Sequence, residues 1–220
     1  MPKKVLLTGA NGLIGTVVRE RLGAQYDFRC LTYEQADFPS LVADIAELET
    51  IAPAFEGIDA VVHLAAAVEM DTTWETALHS NIVGTRNIFE AAVRSGVEQV
   101  IVASSNHATG MYEADGMPDI YNLDDTRQVN PRTPVRADSY YGLSKAIGED
   151  IGRYYTDIHG IRTIMLRLGW VMTNDDPANP PISADHKLTI KSQPLGPEAR
   201  RIRDRDRHRP WSGGRDSDLP

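Results

Sequence analysis

Tyr141 and Lys145 stand four residues apart in a segment predicted to be helical, so their side chains share one face of that helix. A phenol has an ordinary pKa of about 10. A neighbouring ammonium can lower the pKa of Tyr141 so that the phenol acts as an acid or base near neutral pH. The same spacing also arises by chance, as a core tyrosine beside a solvated lysine. Ser104 and Ser105 favour the chemical reading, because they end a predicted strand and offer a hydroxyl partner.

A glycine-rich run over residues 8–15, with the sequence TGANGLIG, follows the first predicted strand and opens the first helix. Gly9 permits a tight turn, Gly12 lets the backbone approach a pyrophosphate, and Gly15 lets helix and strand pack closely. A plain glycine-rich turn is the alternative, but the strand–turn–helix context favours a dinucleotide site, with phosphates at the helix N-terminus. The residues predicted to bind the dinucleotide here are Gly9, Asn11, Gly12, Leu13, Ile14 and Gly15.

The end of the second predicted strand distinguishes NAD from NADP. An acid there binds the ribose hydroxyls, whereas an arginine accommodates the extra phosphate. Glu34 follows this strand with no arginine directly after it, which favours NAD without excluding NADP. Glu34 is equally compatible with a solvated loop acid. Asp44 and Ile45, after the third strand, are predicted to meet the adenine; Asp44 could also cap a helix over 45–55, and both roles can hold together.

The elements that must position these residues alternate between strand and helix. Most strands are continuous apolar runs, which is typical of a parallel sheet covered on both faces. We therefore predict an α/β fold, a Rossmann-like doubly wound parallel sheet that binds its ligand beyond the carboxyl ends of the strands. A segment rich in Pro, Asp, Asn and Gly is predicted to pass over the mouth of the site as a long loop. The predicted strands are 3–8, 28–33, 40–42, 60–64, 99–103 and 163–168; the helices are 11–21, 45–55, 73–95 and 140–155; the loop is 111–138.

The chain is predicted to divide into a dinucleotide-binding domain over 1–173 and an atypical tail over 174–220. Between residues 198 and 209 the tail alternates Arg and Asp and has almost nothing to bury, so it cannot offset its ordering entropy. We therefore expect the tail to be unstructured, and we interpret it as a truncated or frame-altered substrate region.

Composition excludes several classes of protein. The 220 residues are 41% hydrophobic and 25% charged, as in ordinary globular proteins. No apolar run approaches the roughly 20 residues that span a bilayer, so no membrane association is predicted. The net charge of −8 argues against a nucleic-acid partner. The single cysteine, Cys30, is predicted to be a core thiol; it excludes an internal disulfide and fits a cytoplasmic location.

The motifs together resemble the extended short-chain dehydrogenase/reductase superfamily, also called the NAD-dependent epimerase/dehydratase family, over residues 3–171. This resemblance implies that Lys145 binds the nicotinamide ribose, which also helps to lower the Tyr141 pKa. It implies that Asn81 supports the active-site helix and belongs to the cofactor-binding set. It further implies a homodimer formed by the helices at 73–95 and 140–155. The segments that carry the resemblance are 8–15, 63–66, 81–85, 104–105, 141–145 and 167–169, and those expected to line the cofactor cleft are Leu64, Ala65 and Ala66.

The run from Ser104 to His107 is similar to uronate dehydrogenases and to haloarchaeal glucose-6-phosphate dehydrogenases, which oxidise an anomeric hydroxyl to a lactone with NAD. By this resemblance Ser105, Tyr141 and Lys145 are catalytic. Asn106 and His107 are expected to contact the substrate, although His107 could instead be a structural histidine that caps a loop. Asn106 cannot donate a proton as the acid of a nucleotide-sugar dehydratase does, so dehydration is disfavoured.

Two positions depart from the uronate dehydrogenase pattern. Ala67 and Trp170 stand where small hydroxyl residues are expected to contact a uronate, which favours the sugar-phosphate relatives. We therefore predict NAD-dependent oxidation of a sugar or sugar phosphate, such as glucose 6-phosphate, with no metal ion. A nucleotide-sugar epimerase or reductase is one alternative. The other is a non-catalytic dinucleotide-binding protein or a truncated, inactive one.

Overall fold

A computed structural model describes residues 2–122, 124–169 and 171 of the chain. Six parallel strands form one sheet in the order β3-β2-β1-β4-β5-β6. The strand order therefore reverses at the neighbouring strands β1 and β4, and the chain winds outward from them in both directions. This confirms the predicted doubly wound fold and places the ligand crevice at the reversal. The strands are β1 (Lys4–Thr8), β2 (Asp27–Thr32), β3 (Leu41–Val42), β4 (Ala60–His63), β5 (Gln99–Ser105) and β6 (Arg162–Leu168).

Helices cover both faces of the sheet. They are α1 (Leu13–Leu22), α2 (Leu48–Ile51), α3 (Trp74–Thr76), α4 (Gly84–Arg94), α5 (Gly110–Gly116) and α6 (Tyr140–His159). No helix within the described ranges is long and apolar enough to cross a membrane. The predicted tail at 174–220 and the departure at Trp170 lie outside the described residues.

The core lies on both sides of the central strands. On one face Leu6, Val61 and Val100 are completely buried, together with Phe55 and Phe89 from the helical layer. On the other face a smaller cluster contains Leu7, Ala10 and Cys30. Cys30 is therefore a core thiol, as predicted, and burial raises its pKa. Burial on both faces explains why the strands appear in the sequence as continuous apolar runs.

A π-helical segment, Ala77–Val83, joins α3 to α4 into one helical stretch over 74–94. The stretch confirms the predicted helix, and its Leu78 side chain is 38% exposed. The wider π turn shifts the phase of the helix. Ala77 and Asn81 face inward instead, and this change brings a polar amide into the interior behind the crevice.

Two further predictions about local structure need correction. Residues 45–47 are not helical, so Asp44 does not cap the helix; its carboxylate accepts the Ala46 amide at 2.9 Å, and α2 begins at Leu48. The segment 110–138, called the strap below, is not an irregular loop, because it contains α5 and a 3₁₀ turn, Asp119–Tyr121. The Arg136 amide donates to the Ala108 carbonyl, which ties the strap to the body, and the Arg136 carbonyl accepts from the Met111 amide within the strap.

Candidate active site

A cleft of about 1000 Å³ opens at the carboxyl ends of β1, β4 and β5. The structure brings the glycine-rich turn and the Tyr–Lys pair together there, although more than a hundred residues separate them in sequence. Glu34 and Asn81 are the two predicted site residues that do not line it. The predicted residues that do line it are Gly9, Asn11, Gly12, Leu13, Ile14, Gly15, Asp44, Ile45, Leu64, Ala65, Ala66, Ser105, Asn106, His107, Tyr141 and Lys145.

The turn between β1 and α1 depends on close backbone contacts. Gly9 has a φ of 67°, and a Cβ atom on it would lie 2.8 Å from the Ala65 nitrogen. A Cβ on Gly15 would lie 2.4 Å from the Gly9 oxygen. At the start of α1, Gly12 provides no side-chain cap and the first turn contains no acid, so the helix amides remain available to an anion. These features fit the pyrophosphate of a dinucleotide.

The ribose end of the cleft differs from the sequence prediction. Glu34 is exposed and does not line the cleft, whereas Tyr33, directly after β2, does. The signal for Tyr33 was present in the sequence, since it is the first residue after the strand. Asp44 lines the cleft and accepts a hydrogen bond from His79 at 2.9 Å. Burial works against ionisation of Asp44, but the hydrogen bonds from His79 and the Ala46 amide hold its pKa below the ordinary value.

His63 forms a buried hydrogen-bonded link beneath the cleft. The Thr8 hydroxyl oxygen lies 3.2 Å from the Leu64 and Ala65 amide nitrogens, from which it accepts hydrogen bonds, and 2.8 Å from His63 Nδ1. Because Thr8 accepts from both amides, its own proton goes to Nδ1. Nε2 of His63 then donates to the Thr85 hydroxyl at 3.1 Å. Burial, together with the charge of Lys145, lowers the pKa of His63 to about 3.

Tyr141 and Lys145 project from the first turns of α6, whose N-cap residue Ser139 accepts the Gly142 amide. Lys145 Nζ donates to the Ala103 carbonyl at 2.9 Å and lies 5.6 Å from the centre of the Tyr141 ring. Burial lowers the pKa of Lys145 to about 8. These contacts place the ammonium beneath the phenol.

The prediction that the Lys145 ammonium lowers the pKa of Tyr141 is wrong as far as the protein's own side chains are concerned. Burial raises the pKa of Tyr141, and the hydrogen bond with Ser105 offsets only part of that effect. The Ser105 hydroxyl also accepts the His107 amide at 3.2 Å, which fixes its orientation at the end of β5. Ser105 and Tyr141 thus form the hydroxyl pair that the sequence predicted.

Asn81 lies behind the cleft and connects β4 to α6. Its side chain pairs with the backbone of Ala67, accepting from the nitrogen at 2.8 Å and donating to the oxygen at 2.9 Å. It also donates to the Ser144 hydroxyl at 2.9 Å, and Ser144 donates to the Tyr141 carbonyl at 2.7 Å. This arrangement fits the expected support of the active-site helix, whereas the inclusion of Asn81 among the cofactor-contacting residues does not fit its position.

The substrate side of the cleft is formed by Asn106, His107 and the strap. Asn106 is exposed and accepts from Ser105 at 3.3 Å. The His107 ring packs edge-on against the Tyr141 ring, with their centres 5.8 Å apart. His107 lines the cleft and its ring also meets Asp138, so substrate contact and the structural alternative both stay predictions. No cluster of three or more metal-binding side chains occurs within the described ranges.

Arg167, near the end of β6, forms its hydrogen bonds with other groups of the protein. It forms two hydrogen bonds with Glu149, at 2.8 and 2.7 Å, and Glu149 also accepts from Ser104 at 2.6 Å. Burial works against ionisation of Glu149, but these bonds hold its pKa below the ordinary value. The guanidinium is therefore neutralised within the fold and fastens the ends of β5 and β6 to α6.

Comparison with known proteins places this fold and cleft in one family. Residues 5–211 match the NAD dependent epimerase/dehydratase family. The chain is 38% identical over 175 residues to the L-arabinose 1-dehydrogenase (NAD(P)(+)) of Haloferax volcanii. The matched region covers 79% of this chain and 69% of that protein. It is also 38% identical over 180 residues to the NAD-dependent glucose-6-phosphate dehydrogenase of the same organism, with 77% and 69% covered.

Solved structures agree with this assignment. A uronate dehydrogenase variant from Agrobacterium tumefaciens complexed with NAD superposes with a TM-score of 0.64 and 31% identity, over 74% of this chain and 59% of that one. The chain thus spans less than two thirds of this solved relative. The chain belongs to the NAD dependent epimerase/dehydratase family.

The buried His63 predicts a specific dependence of stability on pH. Its folded pKa of about 3 lies below its ordinary value of 6.5, so the unfolded state binds more protons between these values. Stability therefore falls as the pH falls from 6.5 towards 3, by up to about 1.4 kcal/mol per pH unit from this group. Urea unfolding across this range should show a shallower dependence in His63→Gln than in the native chain. His159→Gln, which changes an exposed histidine, serves as the control; equal slopes in native and His63→Gln proteins would contradict the account.

Proposed function

We propose that this chain is an NAD-dependent dehydrogenase that oxidises the anomeric hydroxyl of a sugar or sugar phosphate to a lactone. The observation that carries the proposal is the placement of Ser105 and Tyr141 at the substrate end of a cleft whose other end fits a dinucleotide. The named activities of the Haloferax volcanii relatives and of the uronate dehydrogenases support the same reaction. The assignment of residues 1–173 to the dinucleotide-binding domain is part of this proposal.

In the proposed reaction Tyr141, as a phenolate, takes the proton of the anomeric hydroxyl while Ser105 holds that hydroxyl by a hydrogen bond. The C–H bond of the same carbon breaks with its electron pair, and a carbonyl forms. A bound nicotinamide dinucleotide supplies the acceptor for this hydride. Lys145, whose ammonium lies 5.6 Å from the centre of the Tyr141 ring, would hold the nicotinamide ribose beside the phenol.

The rest of the cleft supports oxidation of a polyhydroxylated molecule. The carboxylate of Glu113 lines the substrate side and can accept a hydrogen bond from a hydroxyl group. Asn106 carries an amide, which neither donates nor removes a proton at working pH. The cleft therefore favours simple oxidation over dehydration.

The role of Tyr141 is tested by Tyr141→Phe, with Tyr26→Phe as a matched control, since Tyr26 is an exposed tyrosine that does not line the cleft. Removing the acid–base group should lower kcat by about 100-fold or more. NAD affinity, measured by calorimetry, should remain within a few-fold of the native value. The assay follows reduced-cofactor absorbance with L-arabinose, glucose 6-phosphate, glucuronate and a UDP-hexose.

Full turnover in Tyr141→Phe, with any of these sugars, would contradict the mechanism. Interconversion of the UDP-hexose without net cofactor reduction would instead identify an epimerase. NAD binding by the native chain with no reaction of any sugar would support the non-catalytic alternative.

We propose that the chain accepts NADP as well as NAD, because Tyr33 occupies the position where an acid would repel the additional phosphate. The phenol of Tyr33 is neutral and can donate a hydrogen bond to either a ribose hydroxyl or a phosphate. Tyr33→Asp should therefore weaken NADP binding relative to NAD by about tenfold or more, through charge repulsion at short range. Glu34→Ala should change the ratio little, because Glu34 does not line the cleft. A native chain that binds NADP about 1000-fold more weakly than NAD would refute this proposal.

We further propose a homodimer formed through the helical stretch 74–94 and α6. Support comes from large apolar side chains that both helices expose, namely Leu78, Val83, Leu143, Tyr154 and Ile158. A monomeric mass in analytical ultracentrifugation would contradict this arrangement.

A cytoplasmic location is a further proposal, which rests on the single, free Cys30.

A further inference from the structure

Asp138 is a buried carboxylate in the cleft wall that the sequence did not single out. It directly precedes Ser139, the N-cap of α6, at the end of the strap. One carboxylate oxygen lies 2.7 Å from Nδ1 of His107, and the other accepts the Ser139 hydroxyl at 2.8 Å. Only 9% of Asp138 is exposed. Both acceptor atoms are therefore engaged, one of them by a ring that lines the substrate side.

Two glycines leave the space that this pair occupies. A Cβ atom on Gly110 would lie 1.9 Å from the Asp138 oxygen that meets His107. A Cβ on Gly142 would lie 2.3 Å from the His107 carbonyl oxygen and 3.0 Å from the other Asp138 oxygen. The pair is thus closely packed between α5 and α6, and any side chain at either glycine would displace it.

The contact with Asp138 determines which nitrogen of His107 carries the proton. A carboxylate can only accept a hydrogen bond, and the N-terminus of α6 favours negative charge at this place. In the neutral form of the ring, Nδ1 is therefore the protonated nitrogen. Nε2 then carries a lone pair and is the ring nitrogen left for a ligand in the cleft.

We propose that Asp138 is a positioning residue that fixes His107 in the Nδ1–H form, so that Nε2 accepts a hydrogen bond from a second hydroxyl of the sugar. The inference rests on the proposed function and names the chemistry of its substrate. The His107 ring touches the Tyr141 ring, so this hydroxyl lies beside the one that Tyr141 deprotonates. A lone pair on Nε2 favours a group that donates over ionised carboxylate and phosphate oxygens, which can only accept. The substrate class that fits is therefore a sugar with a hydroxyl next to the reacting carbon.

The test compares the native chain with Asp138→Asn and with Asp115→Asn. The asparagine at 138 can donate its amide proton to Nδ1 and so move the ring proton to Nε2. Asp115 is on the same strap, but it pairs with the half-exposed Arg136 outside the cleft and serves as the matched control. The readouts are ¹⁵N NMR of the histidine rings, with His107→Gln used to assign the signal, the KM and kcat for the sugar, and the Kd for NAD.

The native chain and Asp115→Asn should both show His107 protonated at Nδ1. Asp138→Asn should show protonation at Nε2, and its KM for the sugar should rise by about tenfold or more through the lost hydrogen bond, with kcat less affected. NAD affinity should stay within about twofold, which separates the role of Asp138 from a general loss of folding.

A native His107 protonated at Nε2 would overturn the proposal, even if Asp138→Asn failed to fold. An unchanged tautomer and an unchanged KM in folded Asp138→Asn would overturn it as well. The NMR signals are recorded without turnover. A chain that oxidises no sugar but shows the expected tautomers would therefore contradict the proposed function and leave the positioning role supported.

Discussion

The close approach of the turn after β1 to the end of β4 is the constraint on which the rest of the site depends. Gly9 can stand within van der Waals distance of the Ala65 backbone only because it has no side chain. The Thr8 hydroxyl then binds the amides that follow β4, and His63 completes the link to Thr85. These two strands flank the reversal of strand order, which is where a dinucleotide binds in a doubly wound sheet.

The Tyr141 side of the cleft is connected to the end of β4 through the Asn81 side chain as well as through the sheet. The π-helical segment turns that amide inward, where it joins the backbone after β4 to Ser144 and so to the carbonyl of Tyr141. The first turn of α6 is thereby fixed relative to the turn that fits the pyrophosphate. Preorganisation of this kind matters because misplacing a reacting group by about 1 Å can cost roughly 100-fold in rate.

The fold and most residues of the cleft are predictable from the sequence, because their signals are local. The glycine spacing, the apolar strands and the four-residue interval between Tyr141 and Lys145 each depend on neighbours in the chain. The errors arise where structure depends on distant contacts or on a break in periodicity. Residues 45–47 are not helical, and burial rather than the nearby charge decides the direction of the Tyr141 pKa shift. The pairing of His107 with Asp138 joins residues 31 positions apart across the polar strap, where no periodic pattern exists.

The central claim, that a hydride leaves the anomeric carbon of a sugar for the dinucleotide, is tested most directly by isotope transfer. An aldose that the native chain oxidises is supplied with deuterium on the anomeric carbon, and the dinucleotide is recovered for mass spectrometry. The account predicts one deuterium in the reduced dinucleotide and a lactone, or the acid formed from it, without the label. Deuterium that remains on the sugar, with no accumulation of reduced dinucleotide, would contradict it.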